Sequence, residues 1–280
     1  MPVDPSALDA FFNPRRIAII GASEQGMYPA GILQNLMTHG FCGEIYPVNP
    51  RRSTVFGLPA YADVTQTPHS PDLAVFTLPR EGVIPALRQC AQVGVRAACL
   101  ISAGFAEAGA DGKRVQAEMV ELARGSQMAV IGPNCAGLAN IPARMVATRL
   151  PVPPRPGNIS FTSQSGALMM ALYGLFADRR AGICVQLNTA ARPAGTPLAA
   201  ADAIHRGLEP DRELVAVDAL ADGFGGDLGH RRRAVFRLFA PAGGRPGDGP
   251  AHQAGRAAAG GSSAAKRLTP APVAHPDSRP

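Results

Sequence analysis

The stretch that decides the fold is Arg16-Ile17-Ala18-Ile19-Ile20-Gly21-Ala22-Ser23-Glu24-Gln25-Gly26. After Arg16, four residues of continuous apolar character stop at a glycine, and a small polar turn follows. Such a run, apolar on both faces, reads as a short buried strand, and Gly21 marks its end. The helical pattern of Ile32 to His39 comes next. The same grammar recurs outward along the chain. Strands are predicted at Glu44–Val48, Asp72–Leu78, Arg96–Ser102 and Met128–Ile131, stopped in turn by Asn49-Pro50, Pro79, Ala103-Gly104 and Gly132-Pro133. Helices are predicted over Gly82–Val93, with Val83, Leu87 and Ala91 on one face, and over Asp111–Arg124, with Val115, Met119 and Leu122. The Pro-rich segment after the second strand reads as a loop. Strands alternating with helices imply a parallel sheet with right-handed crossovers.

A stiff Pro-rich linker, Pro151–Pro156, leads to a second α/β unit. There Asn158–Phe161 reads as a strand, Thr162–Gly166 as a turn and Ala167–Asp178 as a helix. Weaker signals follow: strands at Ile183–Leu187 and Leu214–Val217, and helices at Leu198–His205 and Arg231–Phe239. From Pro241 onward 24 of 40 residues are Ala, Gly or Pro, with Leu268 and Val273 the only large aliphatics. That tail is expected to be disordered, because it buries too little apolar surface to offset its backbone entropy.

Composition narrows the function classes. Of 280 residues 46% are hydrophobic, which suits a globular protein. No apolar run reaches the ~18–20 residues of a membrane span, and no signal-peptide pattern is present, so a cytoplasmic location without membrane contact is expected. The net charge is +6, carried by Arg except at Lys113 and Lys266. GC-rich coding explains that bias, and anion binding would also use it. The basic residues are scattered and aromatics are 5%, which argues against nucleic acid. Cys42, Cys90, Cys99, Cys135 and Cys184 show no C-x-x-C spacing, which argues against a disulfide framework and a zinc site. No metal site is expected.

In an open parallel sheet, ligands bind beyond the carboxyl ends of the strands. The first end offers Gly21, the Ser23 hydroxyl and backbone N–H groups near a helix start, which favour an anion. It is neither G-x-G-x-x-G nor a P-loop, since position 23 is Ser and Gly26 precedes Met27. The second end reads Asn49-Pro50-Arg51-Arg52. An NAD site has an acid there, so the arginines favour a ligand with a phosphorylated ribose, NADP or coenzyme A. Leu78-Pro79 and Ser102-Ala103-Gly104 are small or kinked, leaving room for an extended ligand. Asn134 presents an amide in a rigid turn, which an Asx-turn alone would also explain. Ser163 and Ser165 lack the G-x-S-x-G elbow of a hydrolase.

The order G-A-S, V-N-P, L-P, I-S-A-G-F, G-P-N-C-A-G and I-S-F-T-S-Q-S-G-A-L resembles the NDP-forming acyl-CoA synthetases, which include the α side of succinyl-CoA synthetase and ADP-forming acetate–CoA ligase. The resemblance is good over residues 10–182 and poor over 183–220. It implies a Rossmann-like CoA-binding domain (1–150), an incomplete flavodoxin-like ligase domain (151–240) and a disordered tail (241–280). It places CoA phosphates at Gly21 and Ser23, and the nucleotide phosphate at Arg52 with Arg51 beside it. Asn49, Pro50, Leu78, Pro79, Ser102, Ala103 and Asn134 would flank the cofactor. Ser163, Ser165 and Gly166 would cradle the phosphate of a phosphohistidine. The implied reaction joins a small carboxylic acid to CoA through phosphohistidine and acyl phosphate. ATP or ADP with Mg would enter only through an ATP-grasp partner, either a β-type subunit or a fused domain.

One departure stands out. The family's relay histidine sits in a motif like S-H-T-G-A, and the corresponding stretch here is Ser262-Ser263-Ala264-Ala265-Lys266, without histidine. No carboxylate partner for it is identifiable near Asp218 and Asp222. The tail's bias is what a frameshift or truncation in GC-rich DNA produces. The isolated chain is therefore expected not to turn over. The competing readings are a non-catalytic CoA-binding or regulatory module, and an NADP-dependent oxidoreductase.

Overall fold

The computed structural model describes residues 5–150, 155–163, 165–188 and 213–217. Helix α1 (Pro5–Phe12) precedes β1 (Arg16–Ile20), and α2 (Met27–Thr38) leads to β2 (Glu44–Val48). A two-residue ribbon, β3 (Thr54–Val55) with β4 (Leu58–Pro59), and a 3-10 turn at Val64–Gln66 bridge to β5 (Leu73–Phe76). Then come α3 (Arg80–Gln92), β6 (Ala97–Leu100), α4 (Ala110–Gly125) and β7 (Ala129–Ile131). The sheet order is β2-β1-β5-β6-β7 with parallel neighbours throughout, the expected Rossmann-like layer. The segment expected to be a bare loop thus carries β3, β4 and the 3-10 turn.

Strand alternation distributes the core. Ile17 and Ile19 point to the face covered by Ile32, Leu33 and Leu36 of α2, together with Phe11 and Phe12 of α1. Ala18 and Ile20 point to the other face, against Val83, Leu87 and Cys90 of α3 and Met119 of α4. With α2 on one side and α3 and α4 on the other, the winding direction reverses between β1 and β5. Open α/β sheets bind ligands beyond the carboxyl ends of their strands at such a reversal. The helices stop in the same way: a residue with positive φ (Gly40, Gly94, Gln127) is followed by an N–H that reaches back five residues, as Val95 does to Cys90 O at 3.0 Å.

A second sheet has the order β12-β10-β11-β8-β9. It comprises β8 (Gly137–Asn140), β9 (Met145–Thr148), β10 (Pro156–Ser163), β11 (Ile183–Asn188) and β12 (Glu213–Val217), with α5 (Gly166–Asp178) crossing from β10 to β11. β10 pairs in parallel with β11 and β12, whereas β8 pairs antiparallel with β11 and β9. The β8–β9 hairpin lies before residue 150 in sequence, so hydrogen-bonded pairing carries 137–148 into the second sheet. One face of this sheet packs Phe161 and Val146 against Met169, Tyr173 and Phe176 of α5. The other face adds Leu138, Met145, Ala147, Val185 and Leu187 to the core shared with α2 and β1. Most of the linker, the expected helices 198–205 and 231–239, and the tail from 241 lie outside the described residues. Among the described residues no helix is long and apolar enough to cross a membrane.

Candidate functional site

At the end of β1 the chain passes unusually close to the end of β5. Gly21 has φ +90°, and a Cβ there would sit 3.0 Å from Leu78 Cβ and 3.1 Å from Leu78 N. Only glycine supplies both the conformation and the clearance. The Gly21 N–H donates to Val48 O at 3.0 Å, and Thr77 Oγ1 donates to Gly21 O at 3.2 Å. Ser23 Oγ accepts from the Gln25 N–H at 3.0 Å, closing the turn that feeds α2. Helix α2 begins after Gly26 with no side-chain cap and no acidic residue in its first turn. Its leading N–H groups have no acceptor within the helix, and its dipole favours negative charge there. Tyr28, in that first turn, packs against the cores of both sheets, so the helix start lies at their seam.

The end of β2 is held by Asn49. Its Nδ2 donates to Ala22 O at 2.8 Å, and its Oδ1 accepts from the Arg51 N–H at 2.8 Å. Arg51 and Arg52 follow in that turn, both exposed and, among the described residues, neither in an ion pair. By contrast Arg80, near the fourth end, is already committed to Asp111 at 3.1 Å and to Gly104 O at 3.0 Å.

The remaining ends are tied in sequence. Ser102 is buried, and its Oγ donates to Leu78 O at 2.6 Å. The Asn134 N–H donates to Ser102 O at 2.9 Å. Asn134 itself is exposed and has φ +57°, following the cis Gly132–Pro133 peptide. Ala103 and Pro79 are exposed at the rim. Below them the Cys99 and Cys135 sulfurs lie 3.5 Å apart in the core, and that contact, together with burial, pushes the Cys99 thiol well up.

The serine turn at the end of β10 adjoins this row. Ser163 Oγ accepts from the Ser165 N–H at 3.1 Å, and Ser165 Oγ caps α5 by accepting from the Leu168 N–H at 3.2 Å. A Cβ on Gly166 would lie 3.5 Å from Ala136 Cβ. Asn188, fully buried at the end of β11, accepts from the Ala136 N–H at 2.7 Å and donates to Ser163 O at 2.9 Å. A run of hydrogen bonds thus passes from Asn49 across all five strand ends of the first sheet and on to Ser163.

The structure brings together what the sequence left scattered. Gly21, Ser23, Asn49, Pro50, Arg51, Arg52, Leu78, Pro79, Ser102, Ala103 and Asn134 all lie at the carboxyl ends of the parallel strands or in the turns leaving them. Ser163, Ser165 and Gly166 form a separate turn joined to that rim through Asn188. Thr77 and Asn188 escaped sequence reading. Thr77 was one residue inside a predicted strand end, and Asn188 is recognisable only once β11 is known to end beside Ala136. The first-sheet rim offers the uncapped α2 start and two exposed arginines, and the serine turn offers the start of α5. Among the described residues no cluster of His, Cys, Asp or Glu could hold a metal ion.

Comparison with known proteins gives a consistent picture. Residues 15–141 match the CoA binding domain family. The chain is 43% identical over 162 residues to the α subunit of an ADP-forming acetate–CoA ligase II from Pyrococcus furiosus, covering 58% of this chain and 35% of that one. It is 40% identical over 171 residues to a trans-feruloyl-CoA synthase from an unknown prokaryotic organism, covering 59% and 24%. Among solved structures, the apo dinucleotide-forming acetyl-coenzyme A synthetase 1 of Ca. Korarchaeum cryptofilum superposes with a TM-score of 0.71 at 33% identity, covering 77% of this chain and 47% of that one. The match spans about a third or less of the length of these two curated relatives.

Proposed function

We propose, on the match of residues 15–141 to the CoA binding domain family, that this chain is the CoA-binding, α-type portion of an ADP-forming acyl-CoA synthetase. The observation that carries the reading is the rim between β1 and β2: a helix start without a side-chain cap, and two exposed arginines that form no ion pair among the described residues. Backbone N–H groups and guanidinium forks are the donors that suit a nucleotide phosphate. Gly21 lets the end of β1 close against Leu78, and Asn49 fixes where the arginines start. Leu78, Pro79, Ser102, Ala103 and Asn134 line the path along which the rest of the cofactor would run toward the serine turn. Bound CoA supplies a thiol as the nucleophile. The chain's own residues bind and orient it, and the Ser163–Gly166 turn holds a phosphate at the start of α5.

In the same reading the acid substrate is a small carboxylate, and turnover requires an ATP-grasp partner, as a subunit or a fused domain, to supply the nucleotide and its Mg. The relay histidine is not identified in the sequence, so the isolated chain is proposed not to complete the reaction. Its absence from 262–266 also favours a second reading, a non-catalytic CoA-binding module. Calorimetric titration of the purified chain with CoA and with NADPH tests the cofactor. Tighter binding of CoA supports the proposal, and a preference for NADPH removes it. Thioester formation on adding acetate, CoA, ATP and Mg to the chain alone would exclude both the inactive reading and the non-catalytic one.

A further inference from the structure

We propose that Asn188 is a positioning residue that couples the serine turn to the cofactor side, so that phosphate at Ser163–Gly166 tightens CoA binding; this rests on the reading above. Asn188 has no exposed surface, and both ends of its amide are used. Its Oδ1 takes the Ala136 N–H at 2.7 Å, and its Nδ2 gives to Ser163 O at 2.9 Å. Ala136 is two residues beyond Asn134, and Ser163 both ends β10 and opens the serine turn. One rigid planar group therefore spans two turns that come from different sheets. The contact is not isolated. Gln186, two residues earlier on the same face of β11, donates to Gly137 O at 3.3 Å and accepts from the Tyr173 hydroxyl of α5 at 3.1 Å. The 136–137 segment is thus gripped by two buried amides of β11, and α5 is gripped by the same strand. An anion that orders the α5 start and Ser163 acts on a carbonyl whose buried side-chain donor, Asn188, also fixes Ala136. The dipole of a buried amide is not free to rotate without losing both partners at once. By linkage, whatever phosphate does for CoA affinity, CoA does equally for phosphate.

The test uses the full chain and two ligands, inorganic phosphate and CoA. Hydrogen exchange is followed in peptides covering 132–137 and 163–168, and CoA affinity is measured with and without saturating phosphate. In the native chain phosphate slows exchange in both segments and tightens CoA at least fivefold. In Asn188→Asp, which keeps the acceptor for Ala136 but loses the amide donor to Ser163, phosphate still protects 163–168. There the response at 132–137 disappears, and the ratio of CoA affinities falls to one. Asn188→Ala, where it folds, behaves likewise. A merely structural role would lower the melting temperature of both variants and leave the ratio intact, which would overturn the proposal. A native chain in which phosphate leaves 132–137 unchanged overturns it too. Spread of protection that is lost in the variants, in a chain that refuses CoA, supports the Asn188 link while removing the cofactor reading.

Discussion

Replacing Gly21 with Ala isolates the feature on which the geometry of the rim depends. Two costs arise. At φ +90° an L side chain is strained, by about 1–2 kcal/mol for a left-handed backbone. The new methyl would also lie 3.0 Å from Leu78 Cβ, 3.1 Å from Leu78 N and 3.2 Å from Leu78 Cα. The atoms it meets are the Leu78 backbone and Cβ, not the yielding tip of a side chain. Relief therefore requires the ends of β1 and β5 to part, and overpacking of this kind costs about 1–3 kcal/mol. Together Gly21→Ala should destabilise by about 2–5 kcal/mol. Gly94→Ala is the control: φ is +76° and nothing lies within 4 Å of its Cβ, so only the strain applies. Urea unfolding of both variants, compared at unchanged m-value, reads the difference. Gly21→Ala should exceed Gly94→Ala by about 1–3 kcal/mol, and it should also weaken CoA binding. Equal losses in the two variants would mean that the close approach at Leu78 costs nothing, and the argument for a glycine-dependent rim would fail.

Other outcomes follow from the same description. Arg52→Glu should weaken CoA by about 1–3 kcal/mol, the range for a charge-assisted hydrogen bond. Arg88→Glu, an exposed residue paired with Glu118 away from the rim, should leave CoA affinity unchanged. If both variants lose affinity equally, the effect is net charge and not a site. Asn49→Ala removes two hydrogen bonds that shape the β2 turn and should lower stability by about 1–2 kcal/mol in thermal unfolding, with CoA affinity falling alongside. Iodoacetamide under native conditions should modify exposed Cys42 first. Cys90, whose thiol burial pushes up to about 12, should react only on unfolding, as mass spectrometry of the labelled peptides would report. Asp63 caps the 3-10 turn, and hydrogen bonding, led by the Thr65 hydroxyl, holds its carboxyl below the ordinary value of 3.8. A depressed folded pKa gives stability that is present above the unfolded value and lost as pH falls through the folded one. The melting-temperature gap between the native chain and Asp63→Ala should therefore be full near neutrality and close below about pH 4.

The parallel sheet was legible because each of its strands is apolar on both faces and punctuated. Arg16–Ile20 ends at Gly21, Glu44–Val48 at Asn49-Pro50, and both bounds agree with the structure. Once alternation with helices implied a parallel layer, Gly21, Arg52, Ser102 and Asn134 had to share one rim although more than a hundred residues separate the first from the last. The β8–β9 hairpin left no comparable mark. Its strands are four residues each, begin with Gly137 and end with Thr148, and draw their stability from pairing with β11 more than forty residues later. No local window contains that partner. The same holds for Asn188: an asparagine at a strand end reads as turn chemistry, and its link between two sheets exists only in three dimensions. Helix α1 was missed for a related reason, since its eight residues are held by tertiary packing against β6 and β8, where Asn140 Nδ2 donates to Phe12 O at 3.0 Å.

The most direct measurement is a crystal of the chain soaked with CoA. The account predicts the nucleotide phosphates at Gly21, Ser23 and the α2 start, the Arg52 guanidinium on a phosphate, and the remainder of the cofactor passing Ser102 and Asn134 toward the serine turn. Density for the cofactor anywhere else on the molecule, or none at millimolar concentration with the rim open to solvent, would contradict it.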